Sequence, residues 1–189
     1  EPPKELEPIF TAQAQTKPVA TPQPPKEKTY SFQQVEDSYF NDALFIGDSR
    51  TVGLGEYSGL DGATFYASLG LNVYDVMDDP WVEVDGKKIT LKEALKSKDF
   101  KKIYLMLGIN EIGTGTAEKF AKKYKEVVDE LQVLQPNATI YIQGIIYVSE
   151  KKMNENPVFS NWIVNERNTE LRKIADNKNV FYLNINEVY

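Results

Sequence analysis

The chain of 189 residues contains neither cysteine nor histidine. The lack of cysteine excludes disulfide bonds, thiolate nucleophiles and cysteine-ligated zinc. The lack of histidine removes the side chain that most often serves as a general base near neutral pH. No apolar run approaches the roughly 18 residues that a membrane-spanning helix requires. The chain begins at Glu1 rather than at Met and shows no signal peptide, so we expect that an upstream segment, which could have held a signal or an anchor, was removed.

Basic charge is outweighed by acidic charge. The chain carries 22 Lys and Arg residues against 28 Asp and Glu residues, a formal net charge of −6. This balance disfavours a general attraction to nucleic acid or to anionic lipid, and we expect no nucleic-acid partner and no membrane span. The acidic pairs Glu36-Asp37 and Asp78-Asp79 lack the regular spacing of Ca²⁺ ligands, so we predict no metal site.

The first part of the chain differs in composition from the rest. Residues 1–28 are rich in Pro, Gln, Thr, Lys and Glu, which predicts an extended, disordered tether ahead of one domain over residues 29–189. A tether would hold the domain away from a membrane or wall, so we expect an extracellular or cell-surface location. A plain disordered tail is the alternative interpretation of the same composition.

Beyond Tyr30, short apolar runs alternate with helix-like stretches, the pattern of α/β proteins. Five runs are predicted as buried parallel strands covered by helices on both faces. They cover residues 43–46, 63–67, 103–107, 139–142 and 180–183. We therefore predict a flavodoxin-like three-layer α/β/α fold with a five-stranded parallel sheet. The Asp85-Gly86 pair between alternating apolar residues predicts an inserted β-hairpin over residues 81–90.

Apolar periodicity predicts two longer helices. The first covers residues 117–134, with Thr116 as its N-cap and Pro136 as its stop. The second covers residues 162–177, with Arg167 on its polar, solvent-facing side.

Three of the predicted strands end in residues suited to acyl chemistry. Gly47-Asp48-Ser49 follows the first strand, Gly70 follows the second, and Asn110-Glu111 follows the third. Because the carboxyl ends of parallel strands share one edge, these residues are expected to meet there. A serine at the start of a helix suits a nucleophile, and an amide or a glycine N–H suits an oxyanion donor. Taken singly, each motif could equally be an N-cap or a turn.

The three motifs together, in this order, resemble the sequence blocks of the SGNH hydrolases, also called GDSL esterases or lipase/acylhydrolases. The resemblance covers roughly residues 43–189 and implies that Ser49 is the nucleophile. It further implies an oxyanion hole made by the N–H groups of Ser49 and Gly70 and by the side chain of Asn110, with Asp48 and Glu111 supporting the loops. In the family an Asp usually stands where this chain has Glu111.

The family's last catalytic element, an Asp-x-x-His, has no counterpart because the 189 residues contain no histidine. We expect this element, with a closing helix, to follow Tyr189. The alternative is a catalytically inactive relative that binds glycans through the same cleft. A nucleotide-binding or receiver domain of similar strand order is a third hypothesis, disfavoured because no glycine-rich phosphate loop is present.

The resemblance implies hydrolysis of small acyl esters without a cofactor, and we expect the removal of an acetyl group from a carbohydrate. Tyr74, Tyr147 and Trp162 are candidates for stacking on a sugar, or they are core and groove walls. Arg50, beside the expected nucleophile, is a candidate to pair with an anionic substrate group or with a loop carboxylate.

Overall fold

The computed structural model describes residues 33–187. The predicted tether over residues 1–28 and the two ends of the predicted domain lie outside the described residues. Within the described part the strands are β1 (Ala43–Gly47), β2 (Thr64–Ala67), β3 (Pro80–Val84), β4 (Lys87–Thr90), β5 (Lys102–Met106), β6 (Thr139–Gln143) and β7 (Val180–Leu183). The helices are α1 (Ser49–Tyr57), α2 (Leu91–Leu95), α3 (Ala117–Leu134), α4 (Glu150–Glu155) and α5 (Asn161–Arg172), with short 3₁₀ turns at Asp37–Phe40 and Ile185–Glu187.

Five strands form one parallel sheet in the order β2-β1-β5-β6-β7. This is the strand order of flavodoxin-like folds, and it confirms the predicted α/β architecture. The chain leaves β1 for β2 on one side and then crosses to β5 on the other side of β1. The carboxyl edge between β1 and β5 is therefore the point where open sheets of this kind form their sites.

The hairpin of β3 and β4 is a separate antiparallel pair, as predicted. Its turn residues Asp85 and Gly86 have φ of 51° and 73°. Positive φ at both turn positions matches the right-handed twist of the two strands, and Asp-Gly tolerates it.

One face of the sheet packs against α3 and α5. The core on this side contains Leu44 and Ile46 of β1 and Leu105 of β5, together with Phe120 and Val127 of α3. The predicted bounds of α3 and its N-cap are confirmed, because the Thr116 side chain accepts the N–H of Lys119 at 3.3 Å. No helix among residues 33–187 is long and apolar enough to cross a bilayer.

The other face of the sheet carries a row of aromatic rings, one from each strand. In sheet order they are Phe65, Phe45, Tyr104, Tyr141 and Phe181. Successive ring centroids lie 4.9, 4.6, 4.8 and 5.8 Å apart, with interplanar angles between 11° and 27°. Parallel register brings these rings side by side, and such stacking adds about 0.5–1.5 kcal/mol per pair beyond area burial.

The helix predicted over residues 162–177 is shorter than predicted, and it buries a different face. It ends at Arg172, and the Asp176 carboxylate then accepts the N–H groups of Lys178, Asn179 and Val180 in a turn that leads into β7. The predicted solvent-facing position of Arg167 is wrong. Arg167 is 2% exposed and lies on the buried face of α5.

Gly47 joins β1 to α1 and leaves no room for a side chain. A Cβ there would collide with the Thr51 side chain and lie 2.6 Å from the carbonyl oxygen of Met106. Gly53, within α1, would meet nothing within 4 Å.

We predict opposite effects of alanine at these two glycines. Gly47→Ala lowers the free energy of unfolding by about 1–3 kcal/mol, because α1 or β5 must shift to accept the methyl group. Gly53→Ala raises it by about 0.5–1 kcal/mol, because alanine is the better helix former. Urea denaturation measures both variants, and a Gly47→Ala protein as stable as wild type would contradict the packing argument.

Candidate active site

Ser49 is the first residue of α1 and follows β1 directly. Its side chain is exposed, whereas Asp48 before it is only 1% exposed. The Asp48 carboxylate accepts the N–H of Arg50 at 2.9 Å and caps the helix. Because the first N–H groups of a helix lack intrahelical acceptors, α1 presents positive partial charge around Ser49. Burial raises the pKa of Asp48, and its hydrogen bond from Arg50 acts in the opposite direction.

Arg50 connects α1 to the segment after β6. One of its terminal nitrogens, Nη1, donates to the carbonyl oxygen of Ile146 at 2.7 Å. Burial lowers the pKa of the guanidinium, and the nearby Asp48 opposes that effect. This hydrogen bond goes to a backbone carbonyl rather than to a loop carboxylate, which was one of the two partners considered from the sequence.

Gly70 lies in the loop that follows β2. The end of this strand is held to β1 by the N–H of Ser68, which donates to the carbonyl oxygen of Gly47 at 3.1 Å. Gly70 is exposed and has φ of 76°, and a Cβ there would meet nothing within 4 Å. Its backbone conformation, rather than lack of space, therefore accounts for glycine at this position.

Asn110 lies in the loop after β5 and is exposed. Its Nδ2 donates to the carbonyl oxygen of Leu71 at 2.8 Å, which joins this loop to the Gly70 loop. An amide nitrogen carries two N–H donors, so this bond leaves one N–H of Asn110 for a ligand. The same loop requires glycine at position 108. Gly108 has φ of 128°, and a Cβ there would lie 2.5 Å from the Ile145 side chain and 2.8 Å from the Phe120 ring.

Glu111 points away from solvent and is 3% exposed. Its Oε1 accepts the N–H of Val73 at 2.6 Å, while Oε2 is buried and has no hydrogen-bond partner among the described residues. Burial raises the pKa of this carboxyl, against the opposing effects of the Val73 N–H and of Arg167. Glu111 therefore links the loop of Asn110 to the segment that follows Gly70.

Sequence reasoning missed the role of Arg167 in this arrangement. Its Nη2 donates to the carbonyl oxygens of Glu111 and Thr114 at 2.6 and 2.9 Å, and its guanidinium carbon lies 4.5 Å from the ring centre of Phe120. Burial lowers the pKa of Arg167, while Glu111 opposes the shift. The spacing of residues in the sequence could have indicated the burial of Arg167. The buried residues of α5 follow the i, i+3, i+4, i+7 pattern of one helix face, namely Val164, Arg167, Asn168 and Leu171.

Three asparagine side chains hold the segment after β6, a role that sequence reasoning did not predict. Asn168 accepts from the N–H and donates to the carbonyl of Ile145, at 2.7 and 3.0 Å. Asn161 makes the same pair of bonds with Val148, at 2.9 and 3.0 Å. Asn186 accepts the N–H of Tyr147 at 3.0 Å. These amides take the place of a neighbouring strand for residues 145–148.

The Ser49 hydroxyl is without a hydrogen-bond partner among the described residues, and the chain has no histidine. The buried Asp48 accepts from Arg50, and Glu111 accepts from Val73. In the same part of the chain, no group of three acidic, histidine or cysteine residues is arranged to hold a metal ion.

The fold and this sheet edge define a class of protein, namely an α/β/α hydrolase with a serine at the start of the first helix. A family profile of the GDSL-like lipase/acylhydrolases matches residues 45–189, and the chain belongs to that family. This confirms the resemblance drawn from the Ser49, Gly70 and Asn110 motifs. No curated protein matches the chain at a significant level.

Solved structures support the same fold. A Streptococcus pneumonia protein provisionally described as a platelet activating factor is 18% identical, with a TM-score of 0.59, over 80% of this chain and 73% of that one. A provisionally described GDSL-like lipase from Parabacteroides merdae is 15% identical, with a TM-score of 0.50, over 75% and 76%. A carbohydrate esterase of family 3 from Talaromyces cellulolyticus is 14% identical, with a TM-score of 0.51, over 75% and 76%.

We predict that Glu111 makes stability depend on pH. A carboxyl whose pKa is raised by folding stabilises the fold fully below its unfolded value of about 4.5 and loses that contribution as the pH rises through the folded value. The free energy of unfolding of wild type, relative to Glu111→Gln, should therefore fall as the pH rises above about 4.5. Urea denaturation between pH 4 and pH 8 measures the difference, and parallel curves for the two proteins would contradict it.

Proposed function

We propose that the domain hydrolyses small acyl esters through Ser49, and that its substrate is an acetylated carbohydrate. Membership of the GDSL-like lipase/acylhydrolases supports ester hydrolysis as the class of reaction. The observation that carries the assignment to these residues is the bond between Asn110 and Leu71, which joins the loops after β5 and β2 beside the start of α1. The three potential oxyanion donors, Ser49, Gly70 and Asn110, therefore follow three strands that are neighbours in the sheet.

The reaction follows from this arrangement. The Ser49 Oγ attacks the acyl carbonyl carbon, its proton passes to a base, and the carbonyl oxygen becomes an oxyanion. The N–H groups of Ser49 and Gly70 and the Asn110 Nδ2 donate to that oxygen, an interaction that strengthens in the transition state. The C–O bond to the alcohol then breaks, the alcohol takes a proton, and water later releases the acid from Ser49.

A serine hydroxyl is a weak nucleophile without a base, and the 189 residues hold no histidine. Because these residues contain no histidine, the proposal can be tested by adding a base to the protein from outside. Imidazole supplied in the buffer can accept the Ser49 proton, in the manner of the missing side chain. Release of the acyl group needs the same base, so the acyl form should persist after the imidazole is removed.

We predict that p-nitrophenyl acetate acetylates Ser49 and that imidazole accelerates the reaction. Intact-protein mass spectrometry should detect the gain of one acetyl group, and peptide mapping should locate it at Ser49. Asn110→Ala should lower the rate by about 10²–10³-fold, because one oxyanion donor is lost.

Two serine variants control this experiment. Ser49→Ala should not become acetylated, whereas Ser58→Ala, at the other end of α1, should react as wild type does. Acetylation of Ser49→Ala at the wild-type rate would exclude Ser49 as the nucleophile. An Asn110→Ala protein with unchanged rate would remove Asn110 from the oxyanion hole.

A second candidate function is glycan binding without catalysis. The absence of histidine favours it, and so does the exposure of the aromatic side chains noted in the sequence: Tyr74 and Tyr147 are 43% exposed and Trp162 is 67% exposed. Core residues would be buried, so these rings are free to contact a ligand. Carbohydrate binding with no acetylation of Ser49, even in imidazole, would favour this function over hydrolysis.

A further inference from the structure

A groove of about 420 Å³ opens where the N-terminal ends of α3 and α5 meet the loop after β5. It is lined by Gly113, Gly115 and Thr116 of that loop, by Glu118 of α3, and by Trp162 of α5. Its volume lies within the range of about 300–1,000 Å³ that is usual for small-molecule sites. The same loop also carries Asn110 of the candidate active site.

The indole of Trp162 is an exposed wall of the groove. This side chain is 67% exposed and makes no stacking contact with another ring among residues 33–187. The second tryptophan of the chain differs, because Trp81 donates from Nε1 to the carbonyl oxygen of Val76 at 2.9 Å and packs against the core. An indole face left in water beside a groove is a surface on which the apolar face of a flat ligand can stack.

Two exposed carboxylates of the groove argue against an anionic ligand. The start of α3 would favour an anion, but Glu118 already occupies its first turn. Its own N–H and the Thr116 hydroxyl lower the pKa of the Glu118 carboxyl. Glu166 adds a second exposed carboxylate to the lining. These groups repel anions and accept hydrogen bonds from hydroxyl groups.

Arg167 also lines the groove, and it has hydrogen-bond donors without acceptors. The side chain is 2% exposed, and two of its nitrogens, Nε and Nη1, have no hydrogen-bond acceptor among the described residues. A buried donor without a partner is costly, and it marks a position where an acceptor is missing. A ligand oxygen on the groove floor would supply that acceptor.

We propose that this groove binds a neutral sugar ring, with its apolar face on Trp162 and its hydroxyl groups at Glu118, Glu166 and Arg167. Apolar faces, hydroxyl donors and hydroxyl acceptors occur together in a sugar, and the lining offers a partner for each. That this sugar carries the ester rests on the proposed function. Binding of the sugar itself does not depend on Ser49.

The test uses neutral oligosaccharides as probes. Xylotetraose, cellotetraose and chitotetraose are titrated against the chain by calorimetry, with inorganic phosphate as the anionic comparison. We expect saturable binding of at least one sugar and none of phosphate. Trp162→Ala should weaken the binding on the order of tenfold, the loss expected for a stacked ring. Glu166→Gln tests the acceptor side and should also weaken the binding.

Two further variants sharpen the result. Tyr57→Ala removes an aromatic ring that is 86% exposed at the far end of α1, and it should bind as wild type does. Trp81→Phe leaves Trp162 as the single tryptophan, so its fluorescence should change on sugar binding and not on addition of phosphate.

The outcomes separate this inference from the proposed hydrolysis. Sugar binding that survives in Ser49→Ala but is weakened in Trp162→Ala supports the inference, whether or not Ser49 becomes acetylated. No saturable binding of any of the three sugars overturns it, and so does binding of phosphate at Trp162. An equal loss in Tyr57→Ala and Trp162→Ala overturns it as well. Acetylation of Ser49 without sugar binding leaves the hydrolysis supported and the inference refuted.

Discussion

The buried Glu111 carboxylate, next in the chain after the exposed Asn110, accepts the N–H of Val73 at 2.6 Å. The backbone carbonyl of Glu111 accepts from Arg167, which also holds Thr114. One residue therefore connects the loop after β5, the segment after β2 and helix α5. The Glu111 carboxylate and the Arg167 guanidinium also attract each other, and in a buried region that attraction is screened less than at the surface.

Around the sheet edge, other side chains also bind backbone groups of neighbouring loops. Arg50 binds the carbonyl of Ile146, Asn110 binds the carbonyl of Leu71, and Asn168 binds both backbone groups of Ile145. Irregular segments at the end of a parallel sheet have no strand to satisfy their N–H and C=O groups. Side chains from helices and from the other loops supply those bonds. These side-chain hydrogen bonds thereby hold the loops to one another, and the chain has no cysteine that could form a disulfide bond.

The regular part of the fold could be predicted from the sequence because its signals are local. The five parallel strands were predicted to within one residue at each end, since each is a short apolar run between turn residues. The Asp85-Gly86 turn and the Thr116 cap were also predicted, because each depends on the conformation of a few consecutive residues. Helix α5 was predicted less well. Its charged Arg167 was assigned to the solvent face, and only the carbonyls of Glu111 and Thr114, more than 50 residues away, make its burial possible.

The candidate site, too, has a part that could be predicted from the sequence and a part that could not. Ser49, Gly70 and Asn110 could be named from the sequence, because each follows a recognisable strand and parallel strands end at one edge. The groove beside Trp162 could not, since its walls come from α3, α5 and the loop between β5 and α3. The sequence by itself determined the order of strands and helices and the residue types at the ends of the strands. Only the tertiary structure decided which polar groups became partners, because a buried charge or amide is satisfied by whatever the fold brings within hydrogen-bond distance.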